Sequence, residues 1–331
     1  MRRLLQVGLA VAVTALTLLY ALWGVDFPRL GRLLAGADYR LLLPFEGALV
    51  LFFAFTGLRW NLILRSQGRY SLRQSAPAMM IGFAGNNVLP AHLGELVRAV
   101  VFGRQFGVPA TAVFMTLVVE RLLDVLAILL FYFLAVLTID PFPADIRLGA
   151  QVVGAVMAVA CMGIVVFLRF PLAFVRVWER SSRWLPQAIQ ARGTALLHNA
   201  ATGLATLKSP LLLAAMVGHS LLKWASCGVM VWLALLAFGT HIPFSVSMIV
   251  IAVIALALTV PTAPGFVGTM QAAFVFALGP FGVPQESALA ASVLYLVAQW
   301  LPVTAVGALC FAATGLRLRE VRAEAEHLQD E

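Results

Sequence analysis

Glu120 and Asp124 stand four residues apart in a strongly apolar stretch, with Arg121 between them; His219 and Lys223 repeat that spacing in a second such stretch. Residues four apart share one helix face. Inside a bilayer each charged side chain costs about 2.5–3.5 kcal/mol on insertion scales, so each needs a partner or a task. Arg121 lies within i,i+3 reach of Asp124, and Lys223 would neutralise a carboxylate if the two helices meet. One reading is a polar pocket for a lipid headgroup, with arginine forks on phosphate and carboxylates on a cation or proton. The other is a buried ion-pair network that only ties helices together. A lone intramembrane histidine such as His219 reads as a packed polar residue.

More polar groups sit at two interruptions of apolar sequence. The first runs Asn86-Asn87-Val88-Leu89-Pro90-Ala91-His92-Leu93-Gly94, with Glu95 and Arg98 just after it; the second runs Pro261-Thr262-Ala263-Pro264-Gly265-Phe266-Val267-Gly268, followed by Gln271. Proline and glycine stop a helix and free backbone polar groups. Asn86 and Asn87 either satisfy those groups or line a site. A helix restarting after Gly94 aims its N-terminus at the membrane interior, a natural anion position, and Gly265 and Gly268 offer the same at the second break. Glu95 opposes an anion there, so it is expected to cap its helix or pair with Arg98.

The elements that must position these groups follow from composition. Of the 331 residues 62% are hydrophobic and 11% charged, and the mean hydropathy is +0.95. One globular core cannot hide so much apolar surface, so lipid must cover it. Six segments are long enough to cross a bilayer, about 4–24, 41–64, 111–138, 148–169, 210–238 and 286–314. The broken regions 75–106 and 244–280 read as re-entrant helical hairpins, or as two short crossings each; an alternative for the whole chain is eight short spans. The fold class is therefore an all-α integral membrane protein with a single transmembrane domain over 1–315 and a charged tail over 316–331. The segment 172–205 reads as an interfacial amphipathic helix.

The net charge of +8 reflects basic residues in short loops, not a nucleic-acid surface. On the outside, by this reading, only Arg29, Arg32, Arg40 and Arg147 fall in loops; far more fall on the other side, so both termini are expected in the cytoplasm. The cysteines, Cys161, Cys227 and Cys310, lack metal-type spacing. Gly-x-Ser-x-Gly, Walker A, His-Glu-x-x-His and Cys-x-x-Cys are absent. No metal, cofactor, ATP-driven step or enzymatic activity is expected.

An internal repeat orders the chain. Pro90-x3-Gly94 recurs as Pro264-x3-Gly268, and Phe106-Gly107-Val108-Pro109 recurs as Phe281-Gly282-Val283-Pro284, at offsets of 174 and 175 residues. Each repeat, about 1–138 and 148–314, holds two spans, a hairpin and a third span. An odd number of crossings separates equivalent points, so the second copy is expected upside down. Inverted repeats with broken helices mark transporter folds whose site lies where the broken segments meet.

The ordered motifs Asn86…Leu89-Pro90…Gly94-Glu95…Arg98, Glu120-Arg121-x-x-Asp124 and Pro261-x-x-Pro264-Gly265-Phe266-Val267-Gly268-Thr269-x-Gln271 resemble the lysylphosphatidylglycerol synthase transmembrane-region family of flippase-like membrane proteins, over roughly 10–315. The resemblance implies a bacterial or archaeal cytoplasmic-membrane protein with two re-entrant hairpins that handles lipid. The synthase activity of two-domain members belongs to a separate soluble domain and is not carried over. Gln271 stands where many members have Glu, and Tyr295 where His or Arg is common, which removes titratable groups from the second half.

The expectation is translocation of a lipid or lipid-linked amphiphile (a phospholipid, an isoprenoid or another lipid-linked species) without ATP. Arg98, Glu120, Arg121, Asp124 and Lys223 would bind substrate or couple ions, framed by Asn86, Asn87, Pro90, Gly94, Glu95, Pro261, Pro264, Gly265, Gly268 and Gln271. The rivals are a secondary transporter of a small polar solute and a lipid-binding accessory protein without transport. Protein partners left open are a second copy of the chain and a lipid-biosynthesis enzyme.

Overall fold

A computed structural model describes residues 2–89, 93–138, 171–184, 209–258 and 264–317, with further positions within 186–194 and 319–324. Among these the chain is helical without strands. The helices are α1 (Arg2–Leu22), α2 (Phe27–Ala35), α3 (Leu42–Ile63), α4 (Leu72–Val88), α5 (Leu93–Phe106), α6 (Ala110–Thr138), α7 (Pro171–Ser181), α8 (Pro210–Leu236), α9 (Phe244–Ala257), α10 (Thr269–Leu278) and α11 (Gln285–Ala313). Among the described residues four stretches are long and apolar enough to cross a membrane: Tyr39–Ser66 around α3, and helices α6, α8 and α11. The first expected span differs in shape. Its described apolar part, Val11–Leu22, bends by 86° into α2, and the pair together passes as one broken span. The bend is set by Asp26, whose carboxylate accepts from the Arg29 N–H at 3.0 Å and caps α2, with Pro28 in the opening turn. The expected span 148–169 and the breaker residues Pro90, His92 and Pro261 lie outside the described residues.

Both interrupted regions form helix pairs. Helices α4 and α5 run antiparallel, with Gly82 against Arg98 and Gly85 against Gly94. At the crossing Gly94 is obligatory: a side-chain carbon there would collide with the Gly82 carbonyl oxygen and the Asn86 backbone nitrogen. Gly94→Ala should therefore destabilise the protein by about 1–3 kcal/mol or more, as overpacking does. Gly47→Ala is the control and should be near neutral, because nothing lies within 4 Å of its added carbon. Thermal unfolding of both variants in one detergent checks this. In the second pair, α9 and α10, Gly268 holds φ 84° and its N–H donates to Gln271 Oε1 at 2.7 Å. Gln271 thus caps α10.

Among the helix contacts are α3 with α8, α4 with α11, α9 with α6, α5 with α6, and α10 with α11. Exchanging the two halves maps this set onto itself: α4 on α11 becomes α9 on α6, and α5 on α6 becomes α10 on α11. The repeated tetrapeptide also takes one conformation twice, with Gly107 at φ 68° and Gly282 at φ 71°. The two breaks touch. A side chain at Gly265 would stand 3.7 Å from the Asn87 carbonyl oxygen and 3.4 Å from Trp300 Nε1. Asn87 Nδ2 also donates to Thr304 Oγ1 at 2.9 Å, tying the end of α4 to α11.

Of the expected interfacial segment 172–205, α7 and a few positions up to 194 are described. Val175 is buried while Arg176, Arg180 and Trp184 face outward, and Trp178 Nε1 donates to the Gln190 carbonyl at 3.2 Å. The charged tail is docked at its start. Val321 is fully buried against a cluster that includes Trp60, Leu64 and Phe102. Arg104, near the end of α5, pairs with Glu324 and lies 4.0 Å from Glu320. Val321→Asp should cost about 1.5–3 kcal/mol locally, the worth of a buried valine. The readout is faster protease cleavage at Arg317 with the helical core intact.

Candidate functional site

Four helices converge on one polar cluster. Helix α6 carries Glu120 and Asp124 on its inner face, as their spacing requires. Across from it, α8 brings Lys223, Trp224 and Ser220, α5 brings Arg98, and α3 brings Arg59 and Trp60. Arg59, Glu120, Asp124, Lys223 and Arg98 are at most 4% exposed.

Asp124 is the hub. Its carboxylate accepts from Lys223 Nζ at 2.8 and 2.9 Å, from Arg59 Nη1 at 2.7 Å and from Trp224 Nε1 at 3.0 Å. Arg121 Nη1 lies a further 3.8 Å away. Glu120 accepts from Arg98 Nη2 at 3.2 Å and faces Arg59 Nη2 at 3.4 Å. Arg59 also donates to Ser220 Oγ at 2.7 Å, so it joins α3, α6 and α8. The Arg98 guanidinium stacks 3.6 Å over Trp60, whose Nε1 donates to Thr116 Oγ1 at 3.0 Å. A cation on an aromatic face in a desolvated place is worth about 2 kcal/mol.

Arg98, Glu120, Asp124 and Lys223, expected to share a site, are brought together, and Lys223 neutralises a carboxylate as anticipated. Arg121, half exposed, sits at the margin of the cluster, 3.8 Å from Asp124 as the i,i+3 spacing anticipates, and also pairs with Glu95. This corrects the expectation for Glu95: its partner is across the α5–α6 contact, not Arg98 on its own helix, because Arg98 turns inward to Glu120. His219 packs beside Phe55, with ring centroids 6.2 Å apart. Arg59 is the residue that sequence reasoning missed. Its signal was a basic side chain inside the apolar run 41–64, hidden because Arg65 and Arg69 follow closely.

An apolar chamber of about 130 Å³ adjoins the cluster. Phe52, Asn87, Trp224, Met270, Tyr295 and Trp300 are among its walls. Two of them are shared with the ionic cluster: Lys223 Nζ lies 5.3 Å from the Phe52 ring centroid, and Trp224 reaches Asp124. Of the breaker residues, Asn87 thus lines the chamber. Pro264 and Gly265 form a tight turn beside it with Phe266, which is itself a chamber wall. Asn86 Oδ1 is buried without a hydrogen-bond partner. Gly94, Gly268 and Gln271 serve packing and capping. A second, open cleft of about 470 Å³ is lined by Leu58, Asn61, Leu62, Arg65, Arg69 and Tyr70 at the far end of α3. Among the described residues no group of three His, Cys, Asp or Glu side chains could hold a metal ion. The arrangement suits electrostatic recognition beside an apolar space.

Comparison with known proteins finds membrane-protein relatives. The family described as "Lysylphosphatidylglycerol synthase TM region" matches residues 6–307. A UPF0104 membrane protein of Methanothermobacter thermautotrophicus is 28% identical over 270 residues, 76% of this chain and 78% of that one. Glycosyltransferase AglD of Haloferax volcanii is 28% identical over 319 residues, which cover 87% of this chain and 50% of that one. The chain thus spans about half the length of the second relative.

Proposed function

The chain belongs to the lysylphosphatidylglycerol synthase transmembrane-region family, and from that premise we propose that it translocates a lipid or lipid-linked amphiphile between leaflets without ATP. The observation that carries this is the adjacency of two unlike environments: a buried ionic cluster and an apolar chamber that share Phe52 and Trp224 as walls. A headgroup fits the first and a hydrocarbon chain the second. The family takes its name from the membrane region of a phospholipid synthase, and one relative is named a glycosyltransferase. Both names put such membrane regions beside chemistry on lipids or sugars; the chain itself is read here as the mover, not the catalyst.

The chamber, at about 130 Å³, has room for a short stretch of chain and not for a whole lipid. Passage of a whole lipid by this route requires the two hairpins to separate. Contact between the breaks at Gly265, Asn87 and Trp300 is the natural gate. Exchange symmetry in the helix packing supports an inverted repeat, in which one half rocks against the other and exposes the cluster to each leaflet in turn. By this reading the cleft at Asn61, Arg65 and Arg69 faces the cytoplasmic headgroup layer, where its arginines collect anionic lipid. The location is the cytoplasmic membrane, with both termini inside.

The test is leaflet exchange. Purified protein goes into liposomes with headgroup-labelled lipids of several classes, and dithionite quenching reports how fast the inner leaflet becomes accessible. Exchange above that of empty liposomes supports the proposal. Absence of exchange for every lipid, with uptake of a soluble phosphate ester instead, would replace it with small-solute transport.

A further inference from the structure

The buried charges do not cancel. Arg59, Arg98 and Lys223 face only Glu120 and Asp124, and the outlying pair Arg121 and Glu95 adds one charge of each sign. Among the described residues the cluster thus holds one cation more than it holds carboxylates. An unmatched charge taken out of water is costly unless a counter-charge joins it.

The hydrogen-bond inventory points the same way. Arg59 Nε, Arg59 Nη2 and Arg98 Nε are buried without a hydrogen-bond partner. Arg59 Nη2 lies 3.4 Å from Glu120 Oε1, near enough for attraction but not bonded. A guanidinium stays protonated and offers its N–H groups as a planar fork, which matches the oxygens of a phosphate two at a time. Spare donors on two arginines and one spare positive charge match the chemistry of a single oxyanion.

We propose that this cluster is completed by one phosphate group bearing one negative charge. Resting on the lipid-handling reading, this makes the substrate class a lipid phosphodiester of net charge −1, in preference to zwitterionic or uncharged lipids. The apolar chamber behind Phe52 and Trp224 favours a lipid as the source over free phosphate.

Thermal unfolding of the full chain in uncharged detergent, in low-salt chloride buffer, tests the proposal. The additives are phosphatidylglycerol, phosphatidylcholine, diacylglycerol and inorganic phosphate, each titrated separately. Phosphatidylglycerol should raise the unfolding midpoint most, with about tenfold tighter apparent affinity than phosphatidylcholine; diacylglycerol should not raise it. Inorganic phosphate matching phosphatidylglycerol would uphold the phosphate site and name the free ion as its source. Arg59→Met should abolish the phosphatidylglycerol response, which separates the site from surface arginines. Arg59→Lys keeps the charge without the fork and should weaken the response. Equal responses to phosphatidylglycerol and diacylglycerol, or an unchanged phosphatidylglycerol response in a folded Arg59→Met protein, would overturn the proposal. Failure of the transport reading looks different: phosphatidylglycerol would bind with this selectivity while leaflet exchange stayed at the level of empty liposomes.

Discussion

Asp124→Ala should destabilise the protein by about 3–5 kcal/mol, the usual cost of removing one partner from a buried ion pair. Lys223 at 2.8 Å and Trp224 Nε1 at 3.0 Å would lose their acceptor, and Arg59 at 2.7 Å would be left with Ser220. The substitution also leaves three buried cations against Glu120 alone. Most variant protein should fail to reach a monodisperse state in detergent, and the remainder should unfold at a markedly lower temperature. Asp124→Ala/Lys223→Met should recover part of the loss, since the pair leaves together. Glu120→Gln should cost less, because Glu120 has two longer contacts, at 3.2 and 3.4 Å, and its amide keeps an acceptor for Arg98.

Arg59→Met should do the reverse: keep the fold and remove the function. Without Arg59, Glu120 retains Arg98 and Asp124 retains Lys223 and Trp224, so each carboxylate keeps a cation and the cluster becomes neutral. Methionine follows the same path through the core and fills much of the volume without a polar group. Replacing buried charge by well-packed apolar atoms is often neutral or stabilising. Ser220 is not stranded, because its hydroxyl already donates to the Met216 carbonyl at 2.9 Å. Leaflet exchange should nevertheless fall by about tenfold or more, since charge-assisted hydrogen bonds to a headgroup are worth about 1.5–3 kcal/mol. Thermal unfolding and exchange measured on the same preparation separate the two effects.

The contrast between Arg59 and Asp124 also marks where sequence reading stops. Membrane class, both helix breaks and the shared face of Glu120 and Asp124 were legible, because apolar run length, proline and glycine, and the four-residue period are local properties. The meeting of Lys223 with Asp124 was conditional in the sequence, since nothing local says which helices touch. Arg59 escaped for a related reason. A single basic residue near a span's end reads as a side chain that snorkels to the interface, and only packing of α3 against α8 and α6 turns it inward. Of the two roles expected for Glu95, capping its helix or pairing with Arg98, the second fails because α5 packs so that Arg98 faces the core and Glu95 faces Arg121. The short helix α2 went unseen, its nine residues being too few to register as a span. Val321 was likewise one apolar residue among charges, and only the surface at Trp60 and Phe102 explains its burial.

The central claim is that lipid crosses the membrane by way of this cluster. Its most direct test is dithionite-monitored leaflet exchange of headgroup-labelled phosphatidylglycerol, comparing wild type, Arg59→Met and Gly47→Ala reconstituted at equal density. Exchange is expected well above empty liposomes for wild type and Gly47→Ala, and near the empty-liposome rate for a folded Arg59→Met protein. Exchange by Arg59→Met at the wild-type rate, or wild type no faster than empty liposomes, would contradict it.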